Sequence, residues 1–300
     1  SWKTQYYKKA SVGHIIGNGG WWGDAEMFEV VLDAYETTGN REYLTMFDEL
    51  YKNFCNRNNT DWSGNDYNDA IAWMCIACIR AYLMSGNTDY RDKAKSNFDK
   101  MYTRANKYGD GTLIWCQNHE GKGPAGTNSC INGPAAVCAC YLGIAYNSES
   151  YFTKAKTIST GERAVLMEKN SDGSLTGCVW DSYNQTSKTY NKWASSYNQG
   201  TNLGAALMLY SHYGDEQYKK DADAIMKWTY NNLSNSQKLV HVCQVVNSDL
   251  EGFKGILMRY VRRYAAEHNH PEYYTWMAKN AYHAWNNHNS KGVTNSAWLE

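Results

Sequence analysis

A closed ring of paired α-helices is the fold class this sequence predicts, and three observations carry it. Apolar residues recur at helical spacing from about residue 24 to about residue 286. Only three prolines, Pro124, Pro134 and Pro271, interrupt the chain, so little stops long helices. One punctuation also repeats: Gly39-Asn40 before Tyr43, Gly86-Asn87 before Tyr90, Asn147 before Tyr151, Gly214-Asp215 before Tyr218, and Asn269 before Tyr273. Gly or Asn supplies the left-handed residue that ends a helix, and the Tyr four residues on falls in the first turns of the next.

Each joint therefore marks a helical hairpin. Ala94, Ala155 and Ala222 follow their tyrosines by four residues, placing a small side chain where helices approach closely. The intervals between joints are unequal, whereas an open solenoid keeps a tighter period. A closed (α/α)6 barrel fits better, with inner helices carrying apolar and site residues and outer helices carrying Lys, Asp and Tyr. Five joints are visible, so the remaining helices are expected at the ends, with Tyr6 to Ala10 as the remnant of a first helix. No Ser/Gly/Pro-rich spacer or block of like charge divides the chain, which predicts one domain over residues 1–300. Stretches rich in Gly, Asn and Trp fall between hairpins: Gly13 to Trp22, Asn56 to Tyr67, Gly109 to Thr127, Gly173 to Tyr197 and Asn235 to Asp249. They are expected to gather at one mouth of the barrel and form a groove.

Thirty acidic and thirty basic residues cancel, and no basic stripe stands out, which argues against nucleic acid or an anionic membrane surface as partner. The aromatic residues are polar in kind, 12 Trp and 25 Tyr against 6 Phe. A flat apolar face with a hydrogen-bonding tip suits neutral sugar rings, although core packing accounts for most such residues. Nine cysteines are an odd count without a disulfide framework. Cys75 and Cys78 lie i, i+3 within a helical pattern and read as small buried hydrophobes. The eight histidines show no metal-binding spacing, so no metal and no cofactor is expected. No signal peptide or membrane-spanning run is read from the pattern, and the start at Ser1 without Met reads as a processed or trimmed terminus.

The candidate chemistry lies at Tyr67-Asn68-Asp69-Ala70-Ile71-Ala72-Trp73. The apolar run Ile71, Met74, Cys75, Cys78, Ile79 and Tyr82 places Asp69 in the first turn of a helix, where the helix end favours its ionised form. Retaining glycosidases place two carboxyl groups roughly 5 Å apart, one as nucleophile and one as proton donor. Consecutive residues diverge by about 100° around a helix axis, so two adjacent acids at a helix start can lean into one cleft. Here the second is alanine. Without a catalytic role, an Asp at this position serves the helix end alone.

Along nearly its full length the chain resembles the glycoside hydrolase family 76 α-1,6-mannanases, whose signature is Asp-Asp-x-x-Trp, usually after a Tyr. Asp69 and Trp73 match it; Ala70 does not. Trp21-Trp22 with Ala25-Glu26, Asp33-Ala34-Tyr35-Glu36, Asn132-Gly133-Pro134-Ala135, Tyr197-Asn198-Gln199-Gly200-Thr201, and Phe253-Lys254-Gly255 with Arg259-Tyr260 also resemble the family. The resemblance implies Asp69 as nucleophile and position 70 as general acid/base. Alanine cannot protonate a leaving oxygen, and such proton transfer is worth ~10²–10⁴-fold. Two explanations compete: an Asp-to-Ala change made to trap a ligand, favoured by the intact remaining landmarks, or natural loss of hydrolysis. Asp66 either caps the helix or replaces the lost acid. Trp21, Trp22, Asp66, Tyr67, Asn68, Trp73, Asn132, Tyr197, Asn198 and Gln199 are candidate sugar contacts, and Asp181 is placed to orient hydroxyls. Gly133-Pro134 reads equally well as the entry to an inner helix, and Lys254 as either a ligand contact or a buried ion-pair partner.

The expected activity is endo-acting, retaining hydrolysis of the α-1,6-mannan backbone of yeast or fungal mannan, by a monomer located outside the cytoplasm, whether secreted, periplasmic or on the cell surface. Competing readings are a mannan-binding pseudoenzyme, a transglycosylase sharing the same glycosyl-enzyme intermediate, and a sugar epimerase relying on histidines such as His241 or His268.

Overall fold

The computed structural model describes residues 2–17, 20–119, 125–241, 249–294 and 298. Its helices are α1 (Trp2–Tyr6), α2 (Trp22–Thr38), α3 (Glu42–Asn58), α4 (Asn68–Ser85), α5 (Thr88–Ala105), α6 (Ser129–Tyr146), α7 (Glu149–Val165), α8 (Ser196–Tyr213), α9 (Glu216–Asn232), α10 (Phe253–Glu267) and α11 (Glu272–Asn286). They form the (α/α)6-barrel fold. Inner helices α2, α4, α6, α8 and α10 stand in that order side by side, and α3, α5, α7, α9 and α11 each pack outside the helix before them. Inner helices are buried on nearly every face, as in α6 from Ser129 through Gly143. Outer helices bury one stripe, such as Met46, Phe47, Leu50, Tyr51 and Phe54 of α3.

The joints lie where the sequence placed them. Gly39, Gly86 and Gly214 end their helices at φ 69°, 77° and 65°, and Asn147 does so at 47°. Asn269 also has positive φ, 58°. The side chains of Asn87 and Asp215 then cap the following helices by accepting from the backbone N–H groups of Asp89 and Gln217. Ala94, Ala155 and Ala222 are fully buried. The hairpin tyrosines lace the outer ring together: Tyr90 donates to Asp48 of α3 at 2.9 Å and Tyr151 to Asp99 of α5 at 2.9 Å.

Buried charge closes the ring between α10 and α2. Arg80 of α4 donates to Glu29 and Asp33 of α2 at 2.5 and 2.7 Å, and Arg259 of α10 donates to the same Asp33 at 2.8 Å. Such pairs add modest net stability but are costly to break one-sidedly. Cys75 and Cys78 are buried and unbridged, packed as apolar residues.

Three local expectations need correction. The stretch from Tyr6 to Ala10 is not a helix remnant: α1 ends at Tyr6, and Tyr7–Lys9 (β1) pairs antiparallel with His14–Ile16 (β2). Pro134 does not mark a helix entry, because α6 has already begun at Ser129. Finally, α6 is long and apolar enough to cross a membrane by length and composition, although the pattern reading gave no such run; 83% of it is buried inside the protein.

Short strands missed by the helical pattern order the loops. They are β3 (Ile114–Cys116), β4 (Ala125–Asn128), β5 (Met167–Lys169), β6 (Leu175–Val179), β7 (Ser182–Asn184) and β8 (Thr189–Asn191). β3, β4, β7 and β8 form one antiparallel sheet in that order, with Thr127 opposite both Ile114 and Tyr183. This sheet welds the third loop to the fourth.

Candidate active site

A cleft of about 630 Å³ opens where the inner helices begin, within the usual size of a small-ligand site. Trp21, Trp22, Asn65, Tyr67, Asp69, Ala70, Trp73, Trp115, Asn128, Cys130, Asp181, Tyr197, Phe253 and Ile256 line it. Four of the five predicted loops contribute to this wall. In the fifth, Asn235 to Asp249, residues 242–248 lie outside the described residues.

Asp69 is the second residue of α4 and Ala70 the third; both reach the cleft, and Trp73 lies one turn further on the same face. Burial raises the Asp69 carboxyl to about 6. The Ala70 backbone N–H, the Trp115 indole and the Cys130 thiol lie close enough to oppose the shift, yet none completes a hydrogen bond to the buried Oδ1. A carboxyl poised in this way ionises near neutrality and remains under-solvated, which suits a nucleophile.

Asp181 faces the same cleft from the loop between β6 and β7. Ser182 and Asn191 both donate to its Oδ2, each at 3.0 Å, and among the described residues none donates to Oδ1. Burial raises this carboxyl also, against those two donors. Both acids act on their neighbours: the Cys130 thiol is driven well up by burial, Asp69 and Asp181, and the Tyr197 hydroxyl by burial, Cys130, Asp181 and Asp69. Aromatic rings make the walls. Tyr197 packs on Phe253 at 3.9 Å, Phe253 meets Trp22 at 5.9 Å, and Tyr67 meets Trp115 at 5.3 Å.

Of the residues singled out from sequence, the structure brings Asp69, Ala70, Trp21, Trp22, Tyr67, Trp73, Asp181 and Tyr197 together. Asn68, Asn132, Asn198, Gln199 and Asp66 lie outside the cleft. Asn132 accepts from Leu113 N at 2.8 Å and donates to Leu113 O at 3.1 Å. Gln199 accepts from Val179 N at 2.6 Å and donates to Gly177 O at 2.8 Å. Asn68 donates to Ile114 O and accepts from Arg104 Nε. These buried amides clamp the backbone of incoming loops, as Asn97 does for Trp62 N and Thr60 O and Asn280 for Val240 N and Lys238 O. Their donors and acceptors serve the protein instead of a sugar. Asn198 is fully buried, and its amide acts on the neighbouring Tyr197 hydroxyl, opposing the rise that burial causes.

Asp66 neither caps α4 nor faces Asp69. The N-cap position is Tyr67, which makes no side-chain cap; Asp66 is exposed and its carbonyl accepts from Gln117 N at 2.9 Å. Lys254 is buried on α10, its ammonium 5.3 Å from the Trp298 ring, and is not among the cleft-lining residues. Sequence reasoning missed Trp115, Cys130, Asn65 and Asn128; the position of Trp115 beside Tyr67 depends on the bridge between Tyr67 and Cys116. Among the described residues no three His, Cys, Asp or Glu side chains group to hold a metal ion.

A ring of helix starts thus surrounds an aromatic cleft that two carboxyls face. A model of Glycosyl hydrolase family 76 matches residues 2–300. The chain belongs to that family, and is thus of the glycoside hydrolase class. An inactive, doubly Asp-to-Ala variant of the α-1,6-mannanase GH76A of Salegentibacter sp. HEL1_6, in complex with α-1,6-mannotetrose, superposes with a TM-score of 0.86; it is 25% identical over 100% of this chain and 89% of that one. The Lin0763 protein from Listeria innocua matches with a TM-score of 0.82 and 21% identity over 99% and 87%. Dfg5 from Chaetomium thermophilum in complex with glucosamine gives 0.80 and 17% over 94% and 74%. These last two likenesses speak to the fold. A search of curated protein sequences gives no match.

Proposed function

We propose that the chain is a retaining, endo-acting α-1,6-mannanase fold whose acid/base position is held by Ala70. The observation that carries this reading is Asp69, a carboxyl of pKa about 6 in the floor of an aromatic cleft, with Ala70 lining the cleft beside it. The likeness to an α-1,6-mannanase bound to α-1,6-mannotetrose supports mannan as substrate. In this reading Asp69 attacks the anomeric carbon and the glycosidic C–O bond breaks. The departing oxygen then needs a proton, and a methyl group supplies none. Water attacking the resulting glycosyl ester must lose a proton, and again no base stands at position 70. In this reading the protein works as a monomer, and a polymeric substrate fits a site of action outside the cytoplasm.

Ala70→Asp tests this. The restored protein is expected to release manno-oligosaccharides from linear α-1,6-mannan with a gain of ~10²-fold or more over the present chain. Ala70 equally favours a second reading, a mannan-binding module on the same barrel. An inactive Ala70→Asp protein, alongside mannan binding by the present chain, supports that module and defeats the enzyme.

A further inference from the structure

A fully buried carboxyl with no part in the reaction above lies one side chain away from the Asp181 loop. It is Glu162 of the outer helix α7, and it meets two inner helices. Asn202 of α8 donates to its Oε1 at 3.0 Å and, with the other amide hydrogen, to Asn198 O at 3.0 Å. From α6 the Ser129 hydroxyl lies close enough to act on the same carboxyl, although no hydrogen bond is completed to Oε2. No charged side chain among the described residues acts on Glu162. Arg163, next in the chain, is committed to Asp221 at 2.7 Å, and Cys130 of α6 is the titratable neighbour that feels the Glu162 charge.

Ser129 connects this carboxyl to the cleft. Its backbone N–H donates to Asp181 O at 2.8 Å and its hydroxyl to Trp180 O at 2.7 Å, so one fully buried residue holds the carbonyl on either side of the Asp181 Cα. A serine hydroxyl has one hydrogen. The Trp180 carbonyl, an acceptor only, takes it, so Ser129 can meet Glu162 only as an acceptor, and the hydrogen between them must come from Glu162. We infer that Glu162 is a positioning residue for Asp181: as a neutral acid it donates to the Ser129 hydroxyl, which keeps that hydroxyl on Trp180 O and the Asp181 carboxyl facing the cleft. An ionised Glu162 would draw the hydroxyl hydrogen to itself and release the Trp180 carbonyl. Burial pushes the Glu162 carboxyl up to about 8, against Asn202 and Ser129. The protonated form therefore prevails at neutral pH, and the arrangement loosens as pH rises through about 8. The inference rests on the mannan reading above, in which Asp181 grips sugar hydroxyls and not the reacting atoms. The effect accordingly falls on affinity, and the bond-breaking step at saturating substrate keeps its profile.

The test is calorimetric titration of α-1,6-mannotetraose into the present chain, Glu162→Gln and Asp181→Asn at about pH 7 and about pH 9.5. These values lie on either side of the Glu162 carboxyl and both above that of Asp69. Glutamine keeps an acceptor for Asn202 and a permanent donor for Ser129, and matching melting temperatures at the lower pH verify that the variants fold. Expected is a roughly tenfold loss of affinity at the higher pH in the present chain, none in Glu162→Gln, and none in Asp181→Asn, which is weak at both. A loss in Glu162→Gln as large as the parent's, a parent whose affinity does not change, or the full loss in Asp181→Asn overturns the inference while leaving mannan binding in place. Failure of the parent to bind at either pH overturns the mannan reading instead. The link from Glu162 to Asp181 is then decided without ligand, by carbon NMR of the Asp181 carboxyl. Its signal should step near pH 8 in the parent and not in Glu162→Gln; a step in both, or in neither, contradicts the link.

Discussion

Asp69→Asn should make the protein more stable, by an amount that depends on pH. Burial lifts the Asp69 carboxyl from 3.8 to about 6 in the folded state. The fold therefore favours the protonated form: the contribution is fully present below about pH 4, and is lost as pH rises through about 6. At ~1.36 kcal/mol per unit, the cost of ionising this group reaches about 3 kcal/mol at pH 8. That is the upper end, since Asp69 keeps partial contact with the cleft. Asparagine has the same shape and no charge to desolvate. Thermal unfolding followed by circular dichroism at pH 4 and pH 8 should show near-equal melting temperatures at the lower pH. At pH 8 the variant should melt up to about 5 °C higher. A difference that does not change with pH, or a less stable variant at pH 8, would refute the claim that this site holds a strained carboxylate.

Other consequences follow from the same structure. With an aryl α-mannoside whose leaving group departs unprotonated, the rate of aryl release should show an acid limb near pH 6 from Asp69 and no alkaline limb; Ala70→Asp should give a bell-shaped profile with a manno-oligosaccharide, whose leaving oxygen needs the proton. Asp181→Asn, whose amide oxygen can keep accepting from Ser182 and Asn191 while its nitrogen replaces the carboxylate oxygen facing the cleft, should weaken oligosaccharide binding roughly tenfold without lowering the melting temperature, as calorimetry on the same samples would check. Asn132→Leu strands the buried Leu113 N–H and should cost about 1–3 kcal/mol in chemical denaturation. Arg80→Met removes the 2.5 Å partner of the buried Glu29 and leaves it only the longer contact to Arg259 at 3.4 Å, and should cost about 3 kcal/mol.

The hairpin joints were legible in the sequence because a left-handed C-terminal residue is a local backbone requirement that Gly39, Gly86, Asn147 and Gly214 each declare. The position of Asp69 was legible for a similar reason, since the apolar spacing that follows fixes where α4 begins. Strands of three residues were not legible: β3 and β7 are too short to show an alternating pattern, and only their pairing partners define them. The placement of the amides was not legible for a different reason. Asn132 and Gln199 carry the groups that bind sugars, and nothing local distinguishes an amide facing a ligand from one clamping Leu113 or Val179. Trp115 and Cys130 lie far from Asp69 in the chain, and the tertiary fold alone brings them to it.

Azide rescue of the present chain tests most directly that Asp69 is a nucleophile facing a vacant acid/base position. An activated aryl α-mannoside is supplied with sodium azide, and the sugar product is assigned by NMR. Azide needs no general base and can enter the space beside Ala70. Azide-dependent turnover giving the α-mannosyl azide, abolished by Asp69→Ala, is the expected result; a β-mannosyl azide, or α-azide still formed without Asp69, would contradict it.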